Sequence, residues 1–277
     1  MPDSTQPPRL SMSKLPAITL AFWIMKIAAT TLGETLGDFL SKGPEHGGLD
    51  LGYLLASVVV LAIFFATLLP QLLSRRLHPF LYWTVILSTS TAGTTMSDFM
   101  DRTLGLGYAA GSVLLVTLLL AVLLAWRLVE GSISVSLVRT RRAEVFYWAA
   151  ILASNTLGTA LGDYLADEEQ GPGLGFMGVA ILIGSLIAII STLYLIVKAR
   201  NIGSVSLKVG LFWAAFVLTR PFGATFGDVL ARGREEGGLG FGPGGSSAVL
   251  AGILVAVILL TSFGKAGRRE GGVGTGS

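Results

Sequence analysis

Four times along this chain a tryptophan preceded by another aromatic residue is followed, ten residues later, by glycine and, fifteen residues later, by aspartate. The tryptophans are Trp23, Trp83, Trp148 and Trp213, spaced by 60, 65 and 65 residues, with Phe22, Tyr82, Tyr147 and Phe212 before them. The glycines are Gly33, Gly93, Gly158 and Gly223. The aspartates are Asp38, Asp98, Asp163 and Asp228, each after a small residue, Gly37, Ser97, Gly162 or Gly227. So regular a period means one supersecondary unit copied in tandem, the copies burying one another's faces. After each aspartate a loop leads to Gly-Leu at Gly48, Gly105, Gly173 and Gly238, and a plainer apolar run follows.

Those runs, 51–73, 109–126, 176–197 and 246–263, approach or exceed the roughly 20 helical residues that cross a hydrocarbon core. Segments of similar length, richer in Thr, Ser and Gly, start near Ala17, Phe80, Val145 and Leu211 and carry the tryptophans. The expected fold is therefore all-α and membrane-embedded, with eight transmembrane helices as four two-helix repeats over 17–75, 76–140, 141–205 and 206–264. Tails of residues 1–16 and 265–277 flank this single membrane domain. A charged content of 13%, half that of an ordinary soluble domain, agrees. No removable leader is expected, since the first apolar segment runs into the motif without a small-residue cleavage site. The absence of cysteine excludes disulfides, thiolate metal sites and a cysteine nucleophile.

With eight spans, one set of loops and tails holds Arg9, Lys14, Arg75, Arg76, Arg127, Arg139, Arg141, Arg142, Lys198, Arg200, Lys208, Lys265, Arg268 and Arg269. The other holds Lys42, Arg102, Arg232 and Arg234. Basic loops stay in the cytoplasm, so both termini are expected there. Two spans per unit make the repeats parallel, related by an axis along the membrane normal. Their polar helices either surround a pseudo-fourfold axis or pair as two halves.

This pattern of Trp, Gly and Asp over about residues 17–264 resembles a family of bacterial inner-membrane proteins, described as membrane-anchored and built from four tandem copies of a repeat of unknown function. The resemblance implies the four-by-two helix layout and a bacterial inner membrane. It brings no activity, so the chemistry rests on the residues.

On a helix, offsets 7, 8, 11, 12 and 15 from each tryptophan share an arc of about 140°. They are Thr30, Thr31, Glu34, Thr35 and Asp38 in the first repeat, and Ser90, Thr91, Thr94, Thr95 and Asp98 in the second. The third has Asn155, Thr156, Thr159, Ala160 and Asp163, and the fourth Arg220, Pro221, Ala224, Thr225 and Asp228. The result is a stripe of oxygen donors beside an edge of small residues, Gly33, Gly37, Gly93, Gly158, Gly162, Gly223 and Gly227, on which helices can approach closely. A carboxylate in lipid costs several kcal/mol, so the four aspartates must face protein, water or cations. They either line a cation path or sit wet at the outer helix ends, capping the loops. Glu34 is a cation ligand, a proton carrier or the partner of an in-span base. The in-span bases are Lys26, which can snorkel to the interface, and Arg220, expected to pair with Asp228 or with a carboxylate of a neighbouring repeat. Pro221 should kink its helix or open its ladder.

The tryptophans read as interfacial belt anchors or as a gate. The outer acids of 163–169 and 235–236 read as solvated. His46 and His78 fall on opposite sides of the membrane. Gly-rich loops such as GPGLGFMG form tight turns or short re-entrant loops, without the Lys-Ser/Thr of a phosphate loop. No HExxH, GxSxG or Cys/His pair suggests an enzyme, no cofactor is implied, and nothing points to nucleic acid.

Glu34, Asp38, Asp98, Asp163, Asp228 and Asn155 form an all-oxygen set suited to hard cations such as Mg²⁺, Mn²⁺, Ca²⁺ or Al³⁺. Against Lys26 and Arg220 the five acids sum to −3. The expected function is a metal-cation transporter, exporting in exchange for protons. A non-transporting membrane scaffold and a channel with an aspartate ring are the alternatives, and a homodimer is an admissible assembly.

Overall fold

The computed structural model describes residues 16, 19–74, 77–135, 138, 140–200 and 202–270, with side chains as far as Thr261. The remaining tail residues, and Arg9, Lys14, Arg75, Arg76 and Arg139, lie outside the described residues, as do the side chains of Lys265, Arg268 and Arg269. Among the described residues the chain is all-α, with eight long helices and no strand. They are α1 (Leu20–Ser41), α2 (Gly52–Leu73), α3 (Pro79–Asp98), α4 (Tyr108–Glu130), α5 (Arg141–Ala166), α6 (Gly175–Ala199), α7 (Val205–Ala231) and α8 (Gly242–Glu270). The last runs past the end at 264 that its apolar run suggests.

Helix starts follow capping chemistry. Thr19, Thr140 and Ser204 each accept a hydrogen bond from the backbone N–H three residues on, satisfying a donor that the first turn leaves free. Pro79 opens α3, where a missing N–H costs nothing. Each of α2, α4, α6 and α8 is entered through two left-handed residues two positions apart: Asp50 and Gly52, Gly105 and Gly107, Gly173 and Gly175, Gly240 and Gly242. These pairs correct the register of the repeat. The true counterparts of Gly105 and Gly173 are Asp50 and Gly240, two residues beyond the Gly-Leu pairs at Gly48 and Gly238, because the loops of repeats one and four carry a 3-10 turn, Pro44–His46 and Arg234–Glu236.

The odd helices form a closed ring in which α1 packs on α3, α3 on α5, α5 on α7 and α7 on α1. This is the central arrangement, not two halves. Each even helix packs chiefly on the odd helix of the next repeat: α2 on α3, α4 on α5, α6 on α7, and α8 back on α1. Five helices, α2, α4, α6, α7 and α8, are long and apolar enough to cross a membrane. The even helices hold most of the exposed large apolar side chains. The polar α1, α3 and α5 fall short of that apolarity and lie inside, so the outer helices supply the apolar surface and the inner ones the chemistry.

Candidate functional site

The ring closes on glycine. A methyl group placed on Gly33 would lie 2.9 Å from the carbonyl carbon of Ser90; on Gly93, 2.7 Å from that of Asn155; on Gly158, 2.6 Å from Cβ of Arg220; on Gly223, 2.7 Å from Cβ of Thr30. The offset-10 glycine of every repeat thus meets the offset-7 residue of the next, and the fourth meets the first. Gly37, Gly162 and Gly227 repeat this one turn on, against Thr94, Thr225 and Glu34. These small residues lie where the odd helices approach one another most closely.

This approach stacks side chains in layers along the bundle. At one end an aromatic collar links each repeat to the next: Phe22 to Trp83 at 5.7 Å between ring centroids, Tyr82 to Trp148 at 5.6 Å and Phe212 to Trp23 at 5.8 Å. Between Tyr147 and Trp213 the link is made by Trp126 of α4, at 6.4 and 6.0 Å. Trp83, Trp148 and Trp213 are buried and only Trp23 is partly open. The belt-anchor reading is therefore corrected: the tryptophans fill the collar because each packs against an aromatic of another repeat.

Next comes Lys26, fully buried beside Phe216, its Nζ 4.2 Å from the ring centroid and without a hydrogen-bond acceptor among the described residues. Snorkelling is overturned, since α1 is enclosed by α3, α7 and α8 and offers the side chain no path to water. One turn further, Arg220 reaches across the bundle. Its guanidinium donates to the main-chain carbonyls of Asn155 (3.0 Å), Thr30 (2.8 Å) and Ser90 (2.8 Å), one from each other odd helix, and to the hydroxyls of Thr94 and Thr159. Glu34 lies above it, Oε2 accepting from Thr94 (2.9 Å) and Thr159 (3.0 Å) and standing 3.4 Å from the guanidinium. Arg220 thus pairs with the neighbouring repeat's acid rather than with Asp228. Asn155 joins α5 to α3, donating to Thr89 and Ser90. Helix α7 continues as one element through Pro221, whose missing N–H withholds a donor from the preceding turn.

The four aspartates form the next layer, all at most 6% exposed. They are not wet helix ends. Each is met by a base: Asp38 by Lys42 at 2.7 Å, Asp98 by Arg102 at 2.9 Å, Asp228 by Arg232 at 2.9 Å, while Asp163 borrows Arg102 at 3.4 Å. The loops fold over them; backbone N–H groups of Leu51, Leu106, Leu174 and Phe241 donate to carbonyls in the last turns of the odd helices or the π-helical turn after α3. The charges are near enough to act on one another. Burial would lower the Lys42 ammonium, but Asp38, helped by Asp228 and Asp98, holds it above its ordinary value. Arg102 and Arg232 are raised in the same way against their own burial.

These three bases are the residues that a reading of the motif alone misses. Their signal is in the sequence: a base stands four residues beyond the aspartate at Lys42, Arg102 and Arg232, whereas the third copy has Asp167. Counting them, five acids (Asp38, Asp98, Asp163, Asp228, Glu34) face five bases (Lys26, Arg220, Lys42, Arg102, Arg232), so the balance of −3 becomes zero. Among the described residues no group of three or more His, Asp or Glu is gathered as a metal ion would require. A cavity of about 290 Å³, between the loops of the first and fourth repeats, opens onto Asp38, Lys42 and Arg232, with His46, Glu45 and Glu236 at its walls. His78 caps the start of α3, at the opposite end.

The family described as Repeat of Unknown Function (DUF347) matches the chain four times, at residues 21–77, 81–132, 146–200 and 211–265. The chain belongs to this family. No curated protein and no solved structure matches it.

Proposed function

The family carries no known activity, and from a site built of balanced buried charge we propose that the protein is a membrane transporter for a hard multivalent cation of the Mg²⁺, Mn²⁺, Ca²⁺ or Al³⁺ type, exporting it in exchange for protons. In this reading all eight helices span a bacterial inner membrane, the termini and the aromatic collar lie on the cytoplasmic side, and the aspartate layer faces outward. The observation that carries it is the neutralisation of buried acids by bases reaching in from the outer loops. Lys42, Arg102 and Arg232 act as tethered stand-ins for the cargo. A cation passing the collar draws Glu34 from Arg220, binds among the aspartates and hydroxyls as the three bases withdraw, and leaves when they return. Glu34, freed at each cycle, carries the counter-moving proton. No covalent chemistry is involved.

The scaffold reading has an observation of its own, since every aspartate already has a partner and the acids are not drawn together around one point. Flux in proteoliposomes separates the two. Wild type should move at least one of Mn²⁺, Mg²⁺, Ca²⁺ and Al³⁺ with opposing proton movement, and folded Glu34→Gln and Asp163→Asn should not. Absence of flux for every ion under imposed pH and metal gradients would leave the scaffold.

A further inference from the structure

The pseudo-symmetry exposes one seam that the described residues leave unfilled. Trp126 stands nineteen residues after Gly107, the left-handed glycine that opens α4, and Tyr194 stands nineteen after Gly175, its counterpart at α6. The two side chains occupy equivalent places, Trp126 at the seam of α5 and α7 and Tyr194 at the seam of α7 and α1. Trp126 is 1% exposed and completes the collar. Tyr194 instead borders an elongated cavity of about 530 Å³ between α1, α6 and α7, walled by Trp23, Ile27, Ile187 and Leu195 and ending at Lys198. Trp23, the one partly exposed tryptophan of the four, lines this cavity.

A second cavity of about 230 Å³ shares Tyr194 and Phe212 with the first and carries Lys208. Neither Lys198 nor Lys208 has a carboxylate partner among the described residues. From Ile187 to Lys198 the groove follows α6 for roughly 16 Å, eleven residues at 1.5 Å each. A long apolar slot with one ammonium group at its wall and a second in the adjoining cavity, neither paired among the described residues, matches a molecule with a hydrocarbon chain and an anionic head, and basic pockets between transmembrane helices take acidic lipid heads.

We propose that this seam is a binding site for an anionic phospholipid, its acyl chain lying between α1 and α6 against Trp23 and its phosphate at Lys198 and Lys208. The lipid takes the place that the Trp126 indole fills between α4, α5 and α7. The proposal rests on the membrane-spanning reading and is independent of transport.

Native mass spectrometry of the full chain, released from detergent with matched phosphatidylglycerol or phosphatidylcholine, tests it without any flux measurement. Wild type should retain phosphatidylglycerol in preference. The double variant Lys198→Gln/Lys208→Gln should lose that preference by about tenfold or more. Tyr194→Trp, which supplies the larger ring found at the equivalent seam, should lower retention of both lipids while the thermal transition is kept. Equal retention of the two lipids by wild type, no retained lipid, or an unchanged preference in the double lysine variant would each overturn the site.

Discussion

Arg220 of the last repeat and Glu34 of the first stand 3.4 Å apart with no measurable exposure for one and almost none for the other, and the guanidinium of Arg220 also binds a main-chain carbonyl of every other helix in the ring. One cation therefore ties all four repeats together. Removing its acid leaves a buried charge without a counter-ion. Glu34→Gln should cost about 3–5 kcal/mol, whereas Glu34→Gln combined with Arg220→Met should recover part of that loss. Thermal unfolding of the single and double variants in detergent measures both.

The glycine contacts predict a position-dependent cost. Gly93→Ala meets backbone of α5 at 2.7 Å, and so should destabilise by about 1–3 kcal/mol through forced separation of α3 and α5. Gly210→Ala, in α7 with open space around it, should be neutral or stabilise by up to about 1 kcal/mol. The same unfolding assay compares them.

Sharing of one base by two acids makes the bases unequal. Arg102→Leu strands both Asp98 and Asp163, whereas Lys42→Leu strands Asp38 alone. The arginine variant should therefore unfold at the lower temperature and be the one whose stability is recovered more by acid pH.

Asp163→Asn keeps a polar side chain against Arg102 and removes only charge. Its stability should stay within about 1 kcal/mol of wild type, the scale of a partly exposed ion pair, while cation flux falls by at least about tenfold. Equal flux in the two proteins would remove Asp163 from the path.

Asp101 lies in the π-helical turn after α3, its Oδ2 accepting from Ser97 at 3.2 Å and its Oδ1 without a donor among the described residues. Burial raises its carboxyl from 3.8 to about 6, with the Ser97 hydrogen bond opposing. A raised folded value means that the fold favours the protonated acid, so this contribution is present below about pH 4 and is lost as pH rises through about 6. Asp101→Asn should abolish that component of the stability profile, measured as the difference between the melting curves of the two proteins across this range.

The repeat period and the small residues at offset 10 were enough to read the helix layout and the edges on which the odd helices meet. Which helix packs on which was not legible, because periodicity describes a face and not its partner; that α2 belongs to α3 rather than to α1 follows from the direction in which the ring closes. The burial of Lys26 escapes the sequence for a related reason. Its nearness to Trp23 suggests an interface only if Trp23 faces lipid, and here the tryptophans face one another. Lys42, Arg102 and Arg232 stand four residues past their aspartates, a position that by itself reads as loop charge. The two-residue slip at Asp50 and Gly240 came from matching Gly-Leu letters where the conserved feature between the copies is a left-handed backbone.

The packing of α8 against α1 has a consequence in time. Helix α1 is synthesised before the partners that flank it, α7 and α8, and meets them only once the five helices between have been made. Until then the face of α1 that carries Lys26, Glu34 and Asp38 lacks the neighbours that bury it, so the charged layers of the bundle are completed last.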